Sequence, residues 1–493
     1  MRSGNPIKQL FGQTAVYGLG IVFPRVLNYL LLTPFYTRVF PREEYGIITE
    51  LYAYVVFLLV ILTYGMETGF FRFANERNDR SRVYSSSLTA LFTTSLLFIG
   101  AVFFFIKPVS AVIGYASQEE YIKWLALIVS IDAFTAIPFA RIRLFNKPGK
   151  YAFIRITEVV VNIGLNGFFL YYCPQNADTV GWINTIYNPE VGVGYVLISN
   201  LFASIIKLFL LSGEILAAFK GKIDTRLLRN MLNYAYPLLI AGLAGTVNEA
   251  LDRILLKHLI PGEAGPMAQL GIYGANFKIA VLMTLYVQMF KYAAEPFFFS
   301  KSGEKNARKL YADVLRFFMI PGLMVFLVVT LYIDYFKLFI GPDFREGVDI
   351  VPVILMANLV MGIFFNMSVW YKLTNRTWIG AVLVFTGAII TILVNVLFIP
   401  SFGYRASAWG HLLCYTIMVV LSYLWSRRIY KIPYKVIRVL IYIGMAVLIY
   451  GADSALQQLV PVVAFYLKPA WIILAGIFYV RMERKNWKLY RSN

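Results

Sequence analysis

Apolar residues in this chain run in long unbroken blocks, and polar residues gather between them. Read with the Gly, Pro and charge signals at their ends, the blocks fall near 12–40, 46–71, 84–106, 119–145, 150–172, 192–219, 232–259, 270–299, 308–335, 349–372, 377–399, 405–427, 433–451 and 459–480. Each is close to or above the ~20 residues that a helix needs to cross a ~30 Å hydrocarbon core. The pattern predicts an all-α integral membrane protein with fourteen transmembrane helices. No connection is long enough to fold by itself. The longest outer one, 173–189, is polar, lacks Lys and Arg, and reads as a surface loop rather than a lid. The first block is too long for the h-region of a cleavable signal peptide, and no small-residue cleavage site follows it, so it is expected to remain in the mature protein.

Charge alternates from loop to loop. Arg2 and Lys8 stand on one side, followed there by Arg72, Arg77, Arg80 and Arg82, then Arg141, Arg143, Lys147 and Lys150, then Lys220, Lys222, Arg226 and Arg229. The same side then carries Lys301, Lys305, Arg308 and Lys309, Lys372 and Arg376, Arg427, Arg428, Lys431, Lys435 and Arg438, and finally Arg481, Arg484, Lys485, Lys488 and Arg491. That is about thirty basic residues against about nine on the other side, which predicts both termini in the cytoplasm. Fourteen spans require the two ends to share a side, so count and charge agree. The net charge of +20 is thereby accounted for by topology, and no nucleic-acid partner is expected. Anionic membrane lipids are.

Composition agrees with this class: 59% of residues are hydrophobic and only 15% charged, against about 25% charged in soluble proteins. The aromatic share of 17% suits many interfaces and a ring-lined pathway. Cys173 and Cys414 stand far apart, and His258 and His411 are isolated in sequence, so neither a metal site nor a resident cofactor is expected.

Charges within the spans are costly and therefore informative. Arg25 lies near the middle of the first block, with Pro24 and Pro34 to bend the helix. Tyr17, Asn28, Tyr29, Leu32 and Tyr36 lie at helical spacings from it and predict one wall of a pathway. The alternative is that Arg25 ties its helix to an acid such as Asp132 or Glu67. The seventh block carries Asn248, Glu249, Asp252 and Arg253, with Glu249 and Arg253 spaced to pair. Arg155, Glu158, Lys207, Glu214, Lys278, Lys291, Glu295 and Arg316 are further intramembrane ions, with Lys291 and Arg316 expected to reach the cytoplasmic interface. Arg25, Lys207, Arg253 and Lys278, with Arg155 nearer the cytoplasm, form a cationic set suited to a diphosphate, with Asn28 and Tyr29 toward sugar. The acids Glu67, Asp132, Glu249, Asp252 and Glu295 are expected to be structural or to carry a coupling proton or sodium ion.

An internal repeat organises the chain. Tyr45-Gly46 and Glu67 recur as Tyr273-Gly274 and Glu295, each with 21 residues from Gly to Glu. Phe40-Pro41 matches Ile260-Pro261, Asn28 falls on Asn248, Asn146-Lys147 matches Asn375-Arg376, and Asn166 matches Asn395; with eight extra residues near 263–269 the offsets nearly agree. Helices 1–6 thus repeat as 7–12, and an even helix number makes the repeats parallel about a pseudo-twofold axis. The predicted organisation is an N-lobe at 1–220, a cytoplasmic linker at 221–231, a C-lobe at 232–430, and two appended helices with a basic tail at 431–493.

The run 13–72, with PFYTRVFPREEYGI and LTYGMETGFFRF, and the stretch 248–280, with NEALDRILLKHL and LGIYGANFKIA, resemble bacterial polysaccharide biosynthesis flippases. These are the O-antigen and capsule translocases of the polysaccharide transporter family, in the multidrug/oligosaccharidyl-lipid/polysaccharide exporter superfamily. Arg25 matches the basic position of the family's first helix, and Asp252-Arg253 matches the Asp-Arg pair of its seventh. The first helix has one deep arginine where the lipid II branch has several basic groups, which points away from lipid II as cargo. The resemblance implies a non-enzymatic flippase of the bacterial cytoplasmic membrane, moving a polyprenyl-diphosphate-linked oligosaccharide by alternating access, with glycan polymerase and assembly proteins as its neighbours. An ion-coupled multidrug antiporter of the same fold is the alternative, and a membrane enzyme of glycan assembly a more distant one.

Overall fold

The computed structural model describes the backbone of residues 6–76, 79–304 and 306–491, and side chains within 23–483 apart from 220 and 296 and the two gaps. Tyr17 and the basic residues Arg2, Lys8, Arg77, Lys220, Lys305, Arg484, Lys485, Lys488 and Arg491 lie outside the described side chains. The described residues form helices and turns and no strand. Among the described residues, ten helices are long and apolar enough to cross a membrane, and up to twelve if each of two bent pairs counts as one span. Two more helices, of 34 and 35 residues, are long enough to cross. A total of fourteen is consistent with this arrangement.

The chain divides into two compact units, Met1–Thr246 and Val247–Asn493. The first contains α1 (Pro6–Val39), α2 (Arg42–Glu76), α3 (Arg80–Phe104), α4 (Glu119–Leu144), α5 (Pro148–Asn176) and α6 (Gly194–Leu210, continued after a 52° bend by Ser212–Phe219). The next helix, α7 (Thr225–Leu259), contributes its first half to this unit. Met66, Phe70, Leu88, Leu91, Ile137, Leu227 and Met231 bury together there, so the start of α7 is anchored by apolar packing against α2, α3 and α4. A break in α2 makes that packing possible. Tyr64 and Gly65 take left-handed backbone angles, φ 35° and 72°. A Cβ on Gly65 would stand 3.0 Å from the Leu238 Cβ, so only glycine lets α7 come this close.

The second unit holds the rest of α7, α8 (Pro266–Ile279 and Val281–Ser300, bent by 47°), α9 (Ala307–Leu331), α10 (Pro342–Leu373), α11 (Thr377–Phe402) and α12 (Tyr404–Ile429). It ends with α13 (Val436–Leu459) and α14 (Pro461–Arg491). These last two are tied in by buried charge. Arg316 on α9 bonds Glu483 on α14 through one guanidinium nitrogen at 2.9 Å to each oxygen, and also pairs with Asp313. Tyr442 on α13 donates to Glu483 at 2.6 Å. The expectation that Arg316 reaches the interface is corrected: both Arg316 and Glu483 are buried. A buried cation without these carboxylates would be strongly unfavourable, so the cluster fixes how α13 and α14 seat on α9.

Candidate functional site

In the first unit, Arg25, Asn28, Tyr52, Tyr151, Arg155, Glu158, Asn162 and Asn200 surround a polar cavity of about 260 Å³. Four helices supply them. Pro24 sits beside Arg25 in that lining, within the long helix α1. Asn162 on α5 reaches Asn28 at 3.5 Å, and Asn200 on α6 donates to the Tyr52 hydroxyl at 2.8 Å. Amide and phenol groups thus hold one another in place while keeping further donors and acceptors for a guest.

Behind this wall lies an ion network. Lys207 is buried and pairs with Asp132 and, at 2.6 Å, with Glu158. Glu158 also takes Arg155 at 2.9 Å, and the Arg155 guanidinium lies 4.1 Å from the centre of the Phe139 ring. Two carboxylates face three cations if Arg25 is included. Arg25 is exposed to the cavity and has no ion-pair partner among the described residues. It therefore supplies the uncompensated positive charge. Lys207, expected to meet cargo, is instead enclosed by carboxylates, so it orients Asp132 and Glu158 rather than facing the cavity. Arg25 does not tie to Asp132 or Glu67, since these acids pair with Lys207 and Arg143.

The expected polar stripe on α1 divides in two. Asn28 lines the cavity, whereas Leu32 and Tyr36 are buried and Tyr36 donates to Asn166 on α5 at 2.9 Å. That lower part is packing between helices and not a pathway wall. Tyr29 is half-buried and is not among the cavity-lining residues. Tyr52, Tyr151, Asn162 and Asn200 are contributed by α2, α5 and α6, and Tyr151, Asn162 and Glu158 follow one another at helical spacing on α5. That spacing is the one signal in the sequence that could have found them.

The second unit is organised differently. Asp252 is buried, accepts a hydrogen bond from Tyr273, and lies 3.0 Å from His411 Nε2. His411, isolated in sequence, is thus brought onto Asp252 by the fold. Arg253 does not pair with the Glu249 carboxylate as its spacing suggests; it donates to the Glu249 carbonyl at 3.2 Å and stacks 4.6 Å over Phe277. The Glu249 side chain is exposed, and Lys278 lies near enough to Arg253 for their charges to repel. Lys291 lies 4.6 Å from the Phe365 ring.

The internal repeat shows why the ion network belongs to the first unit alone. With the offset set by Asn166 and Asn395, Asp132, Arg155 and Glu158 correspond to Met361, Val384 and Gly387. The amide framework persists where the charge does not: Asn28 with Asn162 corresponds to Asn248 with Thr391, whose hydroxyl donates to Asn248 at 3.3 Å.

A model of the family described as "Polysaccharide biosynthesis protein" matches residues 11–302, more than half of the chain and including the whole cavity lining. Among curated proteins, the chain is 21% identical over 329 residues to "Lsg locus putative protein 1" of Haemophilus influenzae, covering 65% of this chain and 75% of that one. Among solved structures, the fold is similar to the lipid II flippase MurJ in an inward closed conformation, with a TM-score of 0.70, 14% identity, and coverage of 96% of this chain and 99% of the other. It is also similar to an inward-facing multidrug resistance MATE family transporter of the MOP superfamily, with a TM-score of 0.64, 12% identity, and coverage of 84% and 94%. An all-helical membrane chain with this repeat, this fold and this match over its first three hundred residues belongs to the polysaccharide biosynthesis protein family.

Proposed function

We propose that the protein is a flippase that carries a polyprenyl-diphosphate-linked oligosaccharide across the cytoplasmic membrane by alternating access. The observation that carries this reading is Arg25, without an ion-pair partner among the described residues, at the wall of a polar cavity whose other cations are neutralised. A fixed guanidinium without a counter-ion in a membrane span favours an anionic guest and offers phosphate a planar pair of donors. The amides and phenols beside it, Asn28, Asn162, Asn200, Tyr52 and Tyr151, match the hydroxyls and ring faces of sugar. In this reading the diphosphate and adjoining sugar enter the polar cavity while the polyprenyl tail stays in the bilayer. Family membership and the transporter fold support the same reading.

The test is a leaflet-specific assay in sealed vesicles containing the purified protein. Transfer of a diphosphate-linked polyprenyl oligosaccharide between leaflets, lost in Arg25→Ala while the protein stays in the membrane, is the expected result. Full transfer by Arg25→Ala would overturn the role of the cavity. Absence of transfer together with gradient-driven uptake of a cationic dye would favour the antiporter reading. Collapsing a proton or sodium gradient in the same vesicles identifies the coupling ion.

A further inference from the structure

The two repeats close the same connection in very different ways. In the second unit, α11 passes to α12 through the single residue Gly403, with Gly403-Tyr404 beginning α12 nine residues after Asn395. In the first unit the matching pair Gly194-Tyr195 comes twenty residues later relative to Asn166. The fold does not need those residues to join its helices. They form short turns, Ile183–Ile186 and Pro189–Val191, and carry no Lys or Arg between 173 and 189.

The insertion is built around stacked rings. Phe168 and Trp182 stack with centroids 6.2 Å apart and 10° between planes, and Phe168 also stacks on Tyr172 at 5.7 Å and 20°. A second stack runs through Phe169, Tyr195 and Tyr187, at 4.7 and 5.2 Å. The start of both stacks lies in a π-helical turn, Phe168–Tyr172, that widens the end of α5. Such turns are often associated with functional sites. Tyr195 further accepts the Asn188 backbone N–H at 2.7 Å, which anchors the loop to α6. Trp182 remains 55% exposed and Tyr172 42% exposed, although each has one face against Phe168. Both rings therefore keep accessible surface while stacked on Phe168. Gln175, Asp178, Asn184 and Thr185 are exposed in the same segment.

We propose that this insertion is an oligosaccharide-binding platform on the outer side, which receives the sugar portion of the cargo. The proposal rests on the flippase reading for its sidedness and its cargo. The chemistry is that of carbohydrate recognition. The C–H faces of a pyranose carry weak positive charge and pack on the negative face of an aromatic ring. The sugar hydroxyls find amide and carboxylate partners around the ring. With no Lys or Arg in the loop, the platform offers no cation to a diphosphate, so it separates recognition of glycan from the charge-based recognition of the lipid headgroup. A preorganised stack also binds without the cost of ordering flexible side chains.

The experiment uses the full chain in lipid nanodiscs and, as probe, the soluble oligosaccharides released by mild acid from lipid-linked glycans of the source bacterium. Saturation-transfer NMR reads contact between protein and sugar ring protons. We expect transfer in the wild type, near-complete loss in Trp182→Ala, partial retention in Trp182→Phe, and no change in Tyr335→Ala, an equally exposed tyrosine elsewhere. No transfer in the wild type, or undiminished transfer in Trp182→Ala, overturns the proposal. So does a Trp182→Ala variant that changes only fluorescence quenching by brominated lipids, which would make these rings membrane anchors. Flipping by wild-type protein without sugar contact sinks the platform alone, whereas sugar contact without flipping sinks the flippase reading and with it the platform's role toward cargo, leaving the sugar-binding stack itself.

Discussion

At the scale of single residues, burial and pairing decide which intramembrane charges are available to a guest. Lys207 and Arg25 are both deep cations by sequence, yet Lys207 is enclosed by two carboxylates and Arg25 by none among the described residues. Lys207→Met would leave Asp132 and Glu158 facing each other with Arg155 near, and should lower stability by about 3 kcal/mol, the lower end for a broken buried pair because Asp132 is only partly buried. Thermal unfolding in detergent checks this, and adding Asp132→Asn and Glu158→Gln to Lys207→Met should recover most of the loss. His411 makes the same point: it is one of two histidines in the chain, and only the packing of α12 on α7 sets it against Asp252.

At the scale of elements, the repeat visible in sequence corresponds to repeated local structure. Asn146 and Asn375 have φ of 56° and 55°, and each ends its helix with a backbone bond from the next residue back to a carbonyl five before it, Lys147 to Ile142 and Arg376 to Tyr371. Asparagine tolerates this left-handed cap, which explains why the two Asn-basic pairs match. Just before each cap stands a cation, and the two cations hold the matching acids: Arg143 pairs with Glu67, and Lys372 with Glu295 at 2.6 Å. These acids are thus accounted for as links between the ends of paired helices. Both pairs are partly exposed, so each should be worth only ~0.5 to 1 kcal/mol. A double-mutant cycle on Glu67→Lys and Arg143→Glu, read by thermal unfolding, should show each single change destabilising and the exchanged pair close to wild type; additive losses would exclude the link.

At the scale of the whole molecule, sidedness governs every functional statement. The charge pattern predicts the 173–189 connection outside and the Asn146-Lys147 turn inside. Both native cysteines are buried, which leaves a quiet background for labelling. A cysteine at Thr179 should react with a membrane-impermeant maleimide on intact cells, and one at Lys147 should react only after the membrane is opened; the reverse pattern would invert the topology. Long apolar blocks, alternating basic loops and the repeated caps are properties of local sequence, because a membrane span must satisfy its own backbone hydrogen bonds and a cap depends on a few adjacent residues. The all-helical membrane class, the family and the repeat were therefore determined by sequence alone, and so was the suspicion that fell on Arg25. Which charges neutralise one another was decided only by tertiary structure. The network of Asp132, Glu158 and Lys207 joins three helices, the Arg316 and Glu483 pair joins residues 167 apart, and the ring stack of Trp182 depends on a widened turn on α5. Electrostatic pairing and stacking act over a few ångströms in space, and separation along the chain carries no record of them.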